Sequence, residues 1–309
     1  MIKVDLITGF LGAGKTTFLI EYAQKILAEG KKVAIIVNDY GAINVDRLLI
    51  HKELGDRCQI EMVIGGDRDC GRRRLKTKLI TMALEGYQQV LVEPSGLFEA
   101  DDFFDLLYEE PLERWYEMGN VITVVECCEK LVYSDYAKYI LAKQISKAGA
   151  IVASKMEQPQ QLQNMKVFLE DLSQEFHCNL TEIPLHGWNK GNLDDQTFHE
   201  LWNSGYGRRE PGKALQNKEQ TFESLFFFHV EISGDVKNVV EQLMQNPEAG
   251  NIFRLKGFLK RGDDWLEINA TKMDVNITRT AVGQEVFIVI GEGLNHDVIA
   301  NYWTSYMNE

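Results

Sequence analysis

The chain has 309 residues, and its 46 acidic and 33 basic side chains give a formal charge of −13. This excess of acid argues against a protein that coats DNA or an anionic membrane, because both partners favour a positive surface. No apolar run approaches the roughly 20 residues that a membrane helix needs. Five scattered cysteines and the lack of a signal-peptide layout favour a reduced, cytoplasmic protein with neither a nucleic-acid nor a membrane partner.

The first two thirds of the chain alternate short apolar runs with amphipathic stretches of helical length. The runs predict β-strands at residues 3–8, 32–38, 89–93, 120–125, 149–154 and 180–184. Helices are predicted between them at residues 16–29, 72–85, 133–147 and 160–176. Nearly continuous apolar strands that alternate with helices are typical of a parallel sheet covered on both faces. Residues 1–205 are therefore predicted to form an α/β domain with a mostly parallel, helix-covered sheet.

The pattern changes after residue 205. Residues 206–220 are rich in glycine and charged side chains and are predicted to form a linker. In residues 221–309 we predict strands near 224–232, 252–260, 265–270 and 285–290, and helices near 235–245 and 295–306. This second domain is predicted to be a small α+β unit whose core includes the run Phe226-Phe227-Phe228.

A phosphate-binding loop is the most specific motif in the sequence. Residues 9–16 read Gly-Phe-Leu-Gly-Ala-Gly-Lys-Thr and match G-x-x-x-x-G-K-[ST] between a predicted strand and a predicted helix. The glycines let backbone N–H groups surround phosphate oxygens, Lys15 reaches the β- and γ-phosphates, and the Thr16 hydroxyl joins a Mg²⁺ shell. The alternative is a glycine turn that happens to precede Lys-Thr. The predicted nucleotide contacts are Gly9, Gly12, Ala13, Gly14, Lys15, Thr16 and Thr17.

Two acidic side chains at the ends of predicted strands would reach the same edge of the sheet. Asp39 follows the second strand and Glu93 ends the third, so both are predicted to lie near the Mg²⁺ that Thr16 binds. Gly96, in the segment Glu-Pro-Ser-Gly, would let the backbone approach the γ-phosphate. Lys15, Glu93 and Gly96 are the predicted catalytic set, with Glu93 and Gly96 organising the attacking water. The alternative for either acid is a solvated strand end.

A third segment, residues 154–157, occupies the place where many GTPases keep Asn-Lys-x-Asp to bind guanine. Lys155 is retained, while Ser154 replaces the asparagine and Glu157 replaces the aspartate. A carboxylate one methylene longer can still accept two hydrogen bonds from guanine, although its reach differs. Ser154, Lys155 and Glu157 are therefore predicted to bind the base, with GTP favoured and an ATP-using P-loop enzyme left open.

Five segments together resemble the CobW-type metallochaperone GTPases, a branch of the P-loop proteins that includes urease- and hydrogenase-maturation GTPases. They are residues 9–17 (family GFLGxGKTT), 37–41 (N-E-F-G), 93–97 (E-x-S-G), the degenerate 154–157, and 254–258 (R-x-K-G-hydrophobic). The resemblance implies a P-loop NTPase fold, a CobW-like C-terminal domain and GTP hydrolysis coupled to delivery of a metal such as Zn or Co. The implied partner is a client metalloenzyme or corrinoid-dependent protein, and a homo-oligomer is compatible with it.

The family's metal motif, Cys-x-Cys-Cys, is altered in this chain. The corresponding positions are Asp67, Asp69 and Cys70, so two of three thiolates have become carboxylates. Two carboxylates and one thiolate make a harder and weaker site than three thiolates. Two alternatives stay open, a weakened site for a cargo metal or a switch loop without metal binding. The latter corresponds to a metal-independent nucleotide switch that binds a partner protein.

Six cations within eleven residues follow the altered motif, in a chain that is acidic overall. They are Arg68, Arg72, Arg73, Arg74, Lys76 and Lys78. A solvated helix face is the simplest interpretation of such a cluster. Next to a switch loop, one arginine could instead stabilise charge on the transferring phosphoryl group, or the cluster could dock an acidic partner surface.

Overall fold

The computed structural model describes residues 1–39, 45–64, 68–98, 100–127, 133–213, 222–262, 264–281 and 283–303. These residues divide into two compact units, the first within residues 1–127 and 133–213 and the second within residues 222–303. Among the described residues, no helix is long and apolar enough to cross a membrane.

The first unit is a parallel sheet with helices on both faces. In the described residues its seven strands run in the order β3-β2-β4-β1-β5-β6-β7, and each neighbouring pair is parallel. The strands are β1 (Ile2–Thr8), β2 (Val33–Asp39), β3 (Gln59–Ile64), β4 (Gln89–Glu93), β5 (Tyr116–Glu126), β6 (Ala150–Ser154) and β7 (Leu185–Gly187). The helices are α1 (Lys15–Ala28), α2 (Val45–Leu54), α3 (Arg68–Leu84), α4 (Ala100–Leu107), α5 (Leu112–Trp115), α6 (Asp135–Ser146), α7 (Gln161–Glu175) and α8 (Asp195–Trp202).

Two cores, one on each face of this sheet, hold the first unit together. Phe18, Tyr22 and Trp188 belong to the core under α1, and Phe103 and Leu79 belong to the core under α3 and α4. Burying each such large side chain contributes about 1.5–3 kcal/mol. Because both faces are covered, central strands such as β4 and β6 are buried at every position, which explains their runs of consecutive apolar residues.

The strand order places the candidate site. β1 lies between β4 and β5. The chain leaves β1 towards β2 on one side of the sheet and leaves β4 and β5 towards the other side, so a crevice opens beside β1 at the carboxyl edge of the sheet. The P-loop follows β1, and residues 94–98 follow β4 at this same edge. The predicted α/β class with a parallel, helix-covered sheet is confirmed.

A buried acid joins the three elements behind the P-loop. Asp5 in β1 accepts hydrogen bonds from the backbone N–H of Asn120 at 2.8 Å, from its side-chain amide at 3.1 Å and from the Tyr22 hydroxyl at 3.0 Å. Asp5 is fully buried, and this desolvation raises its pKa despite the three donors. The carboxyl therefore connects β1 to α1 and β5. Its ionisation in this buried position lowers the free energy of unfolding.

Several predicted elements differ from the structure. Residues 180–184 form turns instead of a strand, and the short β7 begins one residue later. Leu180 and Ile183 are buried in this turn, so their apolar character reflects burial and not strand pairing. The strand β3 and the helices α2, α4, α5 and α8 were not predicted, and α3 begins at Arg68, four residues before its predicted start.

The second unit is an antiparallel sheet with helices on one face. Within the described part of the chain, its five strands run in the order β11-β10-β9-β12-β8. They are β8 (Phe222–Phe228), β9 (Asn251–Arg261), β10 (Asp264–Ala270), β11 (Val275–Thr280) and β12 (Val286–Glu292), with helices α9 (Val236–Gln245) and α10 (His296–Ala300). The predicted α+β class is confirmed, although β11 was not predicted and α10 is shorter than expected.

The phenylalanine run in β8 is only partly a core strand. Phe227 is 2% exposed, whereas Phe226 and Phe228 are 42% and 43% exposed. Successive side chains of a strand point to opposite faces, so one side chain of this run faces the helices and the other two do not. The expectation that the whole run belongs to the core is wrong for Phe226 and Phe228.

The first part of the predicted linker packs against the first unit. The N–H of Gly207 donates to the Lys147 carbonyl at 2.8 Å, and that of Gly212 donates to the Phe176 carbonyl at 2.9 Å. Tyr206 also forms a β-bridge with Ala148. Residues 206–213 are thus integrated into this unit, and 214–220 lie outside the described residues.

Candidate functional site

The P-loop is shaped by glycines that no other residue could replace without strain. Gly9 has a φ of +141°, and a Cβ there would lie 2.2 Å from the Val124 carbonyl oxygen. Gly12 and Gly14 adopt left-handed φ values of +81° and +91°. Gly14 is the N-cap of α1 and has no side chain to occupy the helix N-terminus. The first N–H groups of α1 therefore face the loop, in the arrangement that binds anions.

Lys15 and Thr16 begin α1 and connect the loop to β4. The Lys15 ammonium group donates to the Phe10 carbonyl at 3.1 Å and so spans the loop, with the side chain largely buried. The Thr16 hydroxyl donates to Glu93 Oε1 at 2.8 Å. The structure thus brings together a hydroxyl and a carboxylate that the sequence places far apart, beside the predicted phosphate cradle.

Gly96 passes directly against the P-loop. A Cβ at Gly96 would lie 2.8 Å from the Leu11 backbone nitrogen, so only glycine fits this approach. Its carbonyl accepts a hydrogen bond at 3.0 Å from the side-chain amide of Gln144, which also donates to the Phe98 carbonyl at 3.1 Å. Gln144 is buried on α6 and was not predicted. A glutamine in the apolar stripe of a helix is the signal that could have identified it.

Asp39 ends β2 on the same edge of the sheet. The register pairs Val37 with Glu93, so Asp39 lies two residues beyond that pair towards the site. Its side chain lies outside the described residues, as do Tyr40 and Gly41 of the same motif. Asp39 remains a predicted Mg²⁺ neighbour.

The segment predicted to bind guanine is attached to the P-loop. The Ser154 hydroxyl, fully buried, donates to the Ala13 carbonyl at 2.7 Å. The Lys155 ammonium group lies 3.1 Å from Glu126 Oε1, and Lys155 adopts a left-handed φ of +56°. Glu157 is exposed, so its carboxylate is accessible from solvent. Ser154 therefore joins the base segment to the phosphate segment, while Glu157 remains available for a base.

A neighbouring segment, residues 188–191, was missed by the sequence analysis. It follows β7, and its Trp188 packs edge-on against Phe18 with ring centroids 5.3 Å apart. Thr17, a predicted nucleotide contact, lines an open cleft of about 510 Å³ together with Lys190 and Gly191. This volume is within the usual range of ligand sites. No pattern in residues 188–191 marked them as part of a site.

The altered metal motif lies mostly outside the described residues. Asp67 is among the residues that are not described, and the side chain of Asp69 is not described either. Cys70 is exposed in the first turn of α3. The part of the chain that the structure describes holds no group of three or more metal-binding side chains. The cargo site of Asp67, Asp69 and Cys70 remains a prediction.

Three cations of the basic cluster on α3 pair with carboxylates within the first unit. Arg72 donates to Glu109 Oε1 through Nη2 at 2.7 Å, and Lys76 donates to Glu109 Oε2 at 2.6 Å. The bonds from Lys76 and then Arg72 lower the pKa of Glu109. Lys78 pairs with Glu61 at 2.6 Å. These three cations therefore connect α3 to neighbouring parts of the first unit. None of the interpretations drawn from the sequence included such ion pairs.

Comparison with known proteins gives relatives for the first unit. The model of the CobW/HypB/UreG nucleotide-binding domain matches residues 3–178. The zinc chaperone YeiR of Escherichia coli is 27% identical over 162 residues, or 51% of this chain and 47% of that protein. The zinc chaperone CobW of Pseudomonas aeruginosa is 47% identical over 135 residues, or 40% of this chain and 35% of that protein. The chain spans less than half the length of these two relatives.

Solved structures are similar at lower identity. The Zn(II)-bound YjiA GTPase from E. coli is 21% identical, with 97% of both chains covered and a TM-score of 0.43. HypB from Helicobacter pylori in complex with nickel is 16% identical, with 65% of this chain and 84% of that chain covered and a TM-score of 0.41.

Proposed function

Because the chain belongs to the CobW/HypB/UreG nucleotide-binding family, we propose that it binds and hydrolyses GTP with Mg²⁺ and that this cycle controls delivery of a metal ion to a client protein. The observation that carries the proposal is the 2.8 Å hydrogen bond from Thr16 to Glu93 at the P-loop. Hydroxyl and carboxylate oxygens are the ligands that Mg²⁺ prefers in nucleotide sites, so this pair fits the ion.

The P-loop residues bind and orient the triphosphate. The N–H groups at the start of α1 and the Lys15 ammonium group supply positive charge where charge develops during phosphoryl transfer. Thr16 and Glu93 would hold Mg²⁺, with Asp39 nearby, and the bound ion supplies further neutralisation of phosphate charge. Positioning and charge stabilisation account for most of the catalysis in this reaction class.

Glu93 and Gly96 are the residues that would orient the attacking water. The Glu93 carboxylate can accept a hydrogen bond from it, and the Gly96 backbone is held against Leu11 of the P-loop. The segment after β4 contacts the phosphate loop through Gly96 and leads into α4, where the Asp102 carbonyl accepts a hydrogen bond from Arg72 of α3 at 3.2 Å, so this segment can respond to loss of the γ-phosphate. In this way hydrolysis would alter the segment that carries Cys70.

The Ser154–Glu157 segment supports guanine as the base. Glu157 is exposed at the end of a turn that Ser154 attaches to the P-loop. A carboxylate accepts the two N–H donors on one edge of guanine, and adenine offers no such pair there. The assignment is to GTP over ATP.

A competition assay tests the nucleotide assignment. The full chain with Mg²⁺ should release phosphate from GTP, and an equimolar amount of ATP should leave that rate nearly unchanged. Lys15→Ala should lower the rate by about 100-fold or more because it removes a charge from the phosphate site. Lys166→Ala, an exposed lysine of α7, is the matched control. Equal competition by ATP contradicts the guanine assignment, and an unimpaired Lys15→Ala variant contradicts the hydrolytic site.

The cargo is proposed to be Zn²⁺, with Co²⁺ as the alternative, bound through Asp67, Asp69 and Cys70. Two relatives carry the name zinc chaperone, which supports zinc as the cargo. One thiolate and two carboxylates can bind a borderline ion, with lower affinity than three thiolates. The client would be a metal-dependent or corrinoid-dependent enzyme.

A metal-independent switch is the second candidate, and the altered motif favours it. With two of three thiolates replaced, the segment could contact a partner protein without a metal. Titration of Zn²⁺ separates the two functions. Binding at micromolar or lower concentration that Cys70→Ala weakens supports the chaperone, whereas no binding by the wild-type chain supports the switch.

A further inference from the structure

The side-chain amide of Asn189 clamps the backbone of one residue of the base segment, Met156. Its Nδ2 donates to the Met156 carbonyl at 2.7 Å, and its Oδ1 accepts from the Met156 N–H at 2.8 Å. Both polar backbone groups of the residue between Lys155 and Glu157 are thus held by a single side chain. Two such bonds, one on each peptide unit that flanks the Met156 Cα, fix the orientation of this backbone as well as its position.

The segment that carries Asn189 is itself fixed to the P-loop helix. The Trp188 N–H donates to the Ala153 carbonyl at 2.8 Å, and its indole N–H donates to Glu21 Oε2 at 3.0 Å. The other oxygen of Glu21 accepts a hydrogen bond from the Gly191 N–H. Because Glu21 belongs to α1, the segment that carries Asn189 connects the base segment to the same helix that carries Lys15 and Thr16.

The remaining residues of the turn are anchored on both sides of Met156. Ser154 is bonded to Ala13, and the Lys155 ammonium group pairs with Glu126. The Glu157 N–H donates to Gln161 Oε1 at 2.7 Å. The left-handed conformation of Lys155 is unfavourable for a residue with a Cβ and persists only where its surroundings determine it. The Asn189 clamp acts on the backbone of Met156, the next residue along the chain.

We propose that Asn189 is a positioning residue for guanine recognition, which holds the turn so that the Glu157 carboxylate faces the N–H edge of the base. The inference rests on the proposed binding of GTP. A glutamate has one more rotatable bond than the usual aspartate, so its alignment depends more strongly on a fixed backbone. Asn189 supplies this fixed backbone and does not itself contact the base.

The test compares Asn189→Ala with Asn192→Ala, an exposed asparagine of the following turn, as the matched control. Dissociation constants are measured with Mg²⁺ for GTP, ITP, ATP and inorganic tripolyphosphate. ITP lacks the 2-amino group and so reports one of the two hydrogen bonds to the carboxylate. We expect Asn189→Ala to weaken GTP about tenfold and ITP less, because a misaligned carboxylate loses the paired contact. Tripolyphosphate affinity and kcat at saturating GTP should stay within about twofold of the wild type.

The outcomes separate this inference from the proposed function. A wild-type chain that prefers GTP, with an Asn189→Ala variant that keeps the same GTP-to-ITP ratio, overturns the inference alone. A wild-type chain that binds GTP and ATP equally overturns the guanine assignment and the inference with it. Loss of tripolyphosphate binding in Asn189→Ala also overturns the inference, since the residue would then support the phosphate site. Asn189→Asp keeps the acceptor and loses the donor, so its ratio should be intermediate.

Discussion

Thr16 and Glu93 are 77 residues apart in the chain, yet their side chains share a hydrogen bond at the P-loop. The contact exists because β1 and β4 are adjacent and parallel, so the segments that follow them meet at one edge. A single carboxylate here would serve both the bound ion and the attacking water. It is the residue whose charge matters most for the proposed hydrolysis.

Glu93→Gln should lower kcat for GTP about 100-fold while weakening GTP binding much less. The amide oxygen can still accept the Thr16 hydrogen bond, but the charge that binds Mg²⁺ and polarises water is removed. Steady-state hydrolysis and equilibrium nucleotide binding measure the two effects. Glu170→Gln on the exposed face of α7 is the control. A Glu93→Gln variant that hydrolyses GTP at the wild-type rate would remove Glu93 from the mechanism.

Gln144 contributes to stability as well as to the site. Gln144→Leu should lower the free energy of unfolding by about 2 kcal/mol, because the carbonyls of Gly96 and Phe98 lose their buried donor. Denaturant unfolding measures this change, and kcat should fall with it because Gly96 is no longer held. Gln163→Leu, exposed on α7, should change the stability by less than about 0.5 kcal/mol. Equal effects of the two substitutions would show that the buried bonds are unimportant.

Local patterns predicted the residue types of the site better than their contacts. The sequence placed Ser154 in the base segment, but its bond to Ala13 is a contact across 141 positions that no local pattern encodes. Gln144 and Asn189 were missed for the same reason, since each acts on backbone groups from a distant element. The glycines at positions 9, 12 and 14 were predicted because their requirement is local.

At the scale of elements, the buried Asp5 couples β1 to α1 and β5. Burial raises the pKa of its carboxyl above the ordinary value of 3.8 that the unfolded chain retains. The folded state therefore binds more protons through this group. Its contribution makes the free energy of unfolding fall as pH rises from about 4 through the folded pKa.

Asp5→Asn should abolish this part of the pH dependence. An amide accepts the Asn120 hydrogen bonds without ionising, so the variant should gain stability relative to the wild type between about pH 4 and pH 7. Denaturant unfolding at several pH values measures the difference. Asp105→Asn, exposed on α4, should show no such trend. A difference that shrinks as the pH rises would mean that Asp5 is stabilised in its ionised form.

Helix α3 is held by the ion pairs of Glu109 with Arg72 and Lys76. Glu109→Gln should lower the free energy of unfolding by less than about 1 kcal/mol, since the carboxylate is partly exposed and screened by solvent. Because the folded-state pKa is lowered, this contribution is present at neutral pH and is lost as pH falls through the folded pKa. Unfolding at low and high salt measures it, with Glu113→Gln as the control. An effect independent of salt would contradict an electrostatic role.

Element prediction succeeded where periodicity and burial agreed. β4 was predicted at its observed bounds because every position is buried and its three central residues are apolar. β3 was missed because Glu61 interrupts its apolar run, although that carboxylate is neutralised by Lys78. Residues 180–184 were wrongly predicted to form a strand, because a buried turn can have the apolar composition of a strand.

At the scale of the whole molecule, the net charge of −13 and the phosphate site are compatible. Lys15 lies at the P-loop, and the cations Arg72 and Lys76 of α3 form ion pairs with Glu109. The net charge therefore argues against a protein that wraps a polyanion, but it does not exclude the binding of one nucleotide. The fold class followed from the alternation of strands and helices, whereas the metal function depends on residues 67–70, for which the sequence offered two alternatives.

The affinity for Zn²⁺ in two nucleotide states tests the central claim most directly. Zinc dissociation constants are measured for the full chain with a non-hydrolysable GTP analogue and with GDP, with Cys58→Ala as the control for Cys70→Ala. We expect the two states to differ about tenfold or more, a coupling of about 1.4 kcal/mol, and Cys70→Ala to weaken the tighter state. Equal zinc affinity in both states, or no zinc binding by the wild-type chain, would contradict nucleotide-controlled metal delivery.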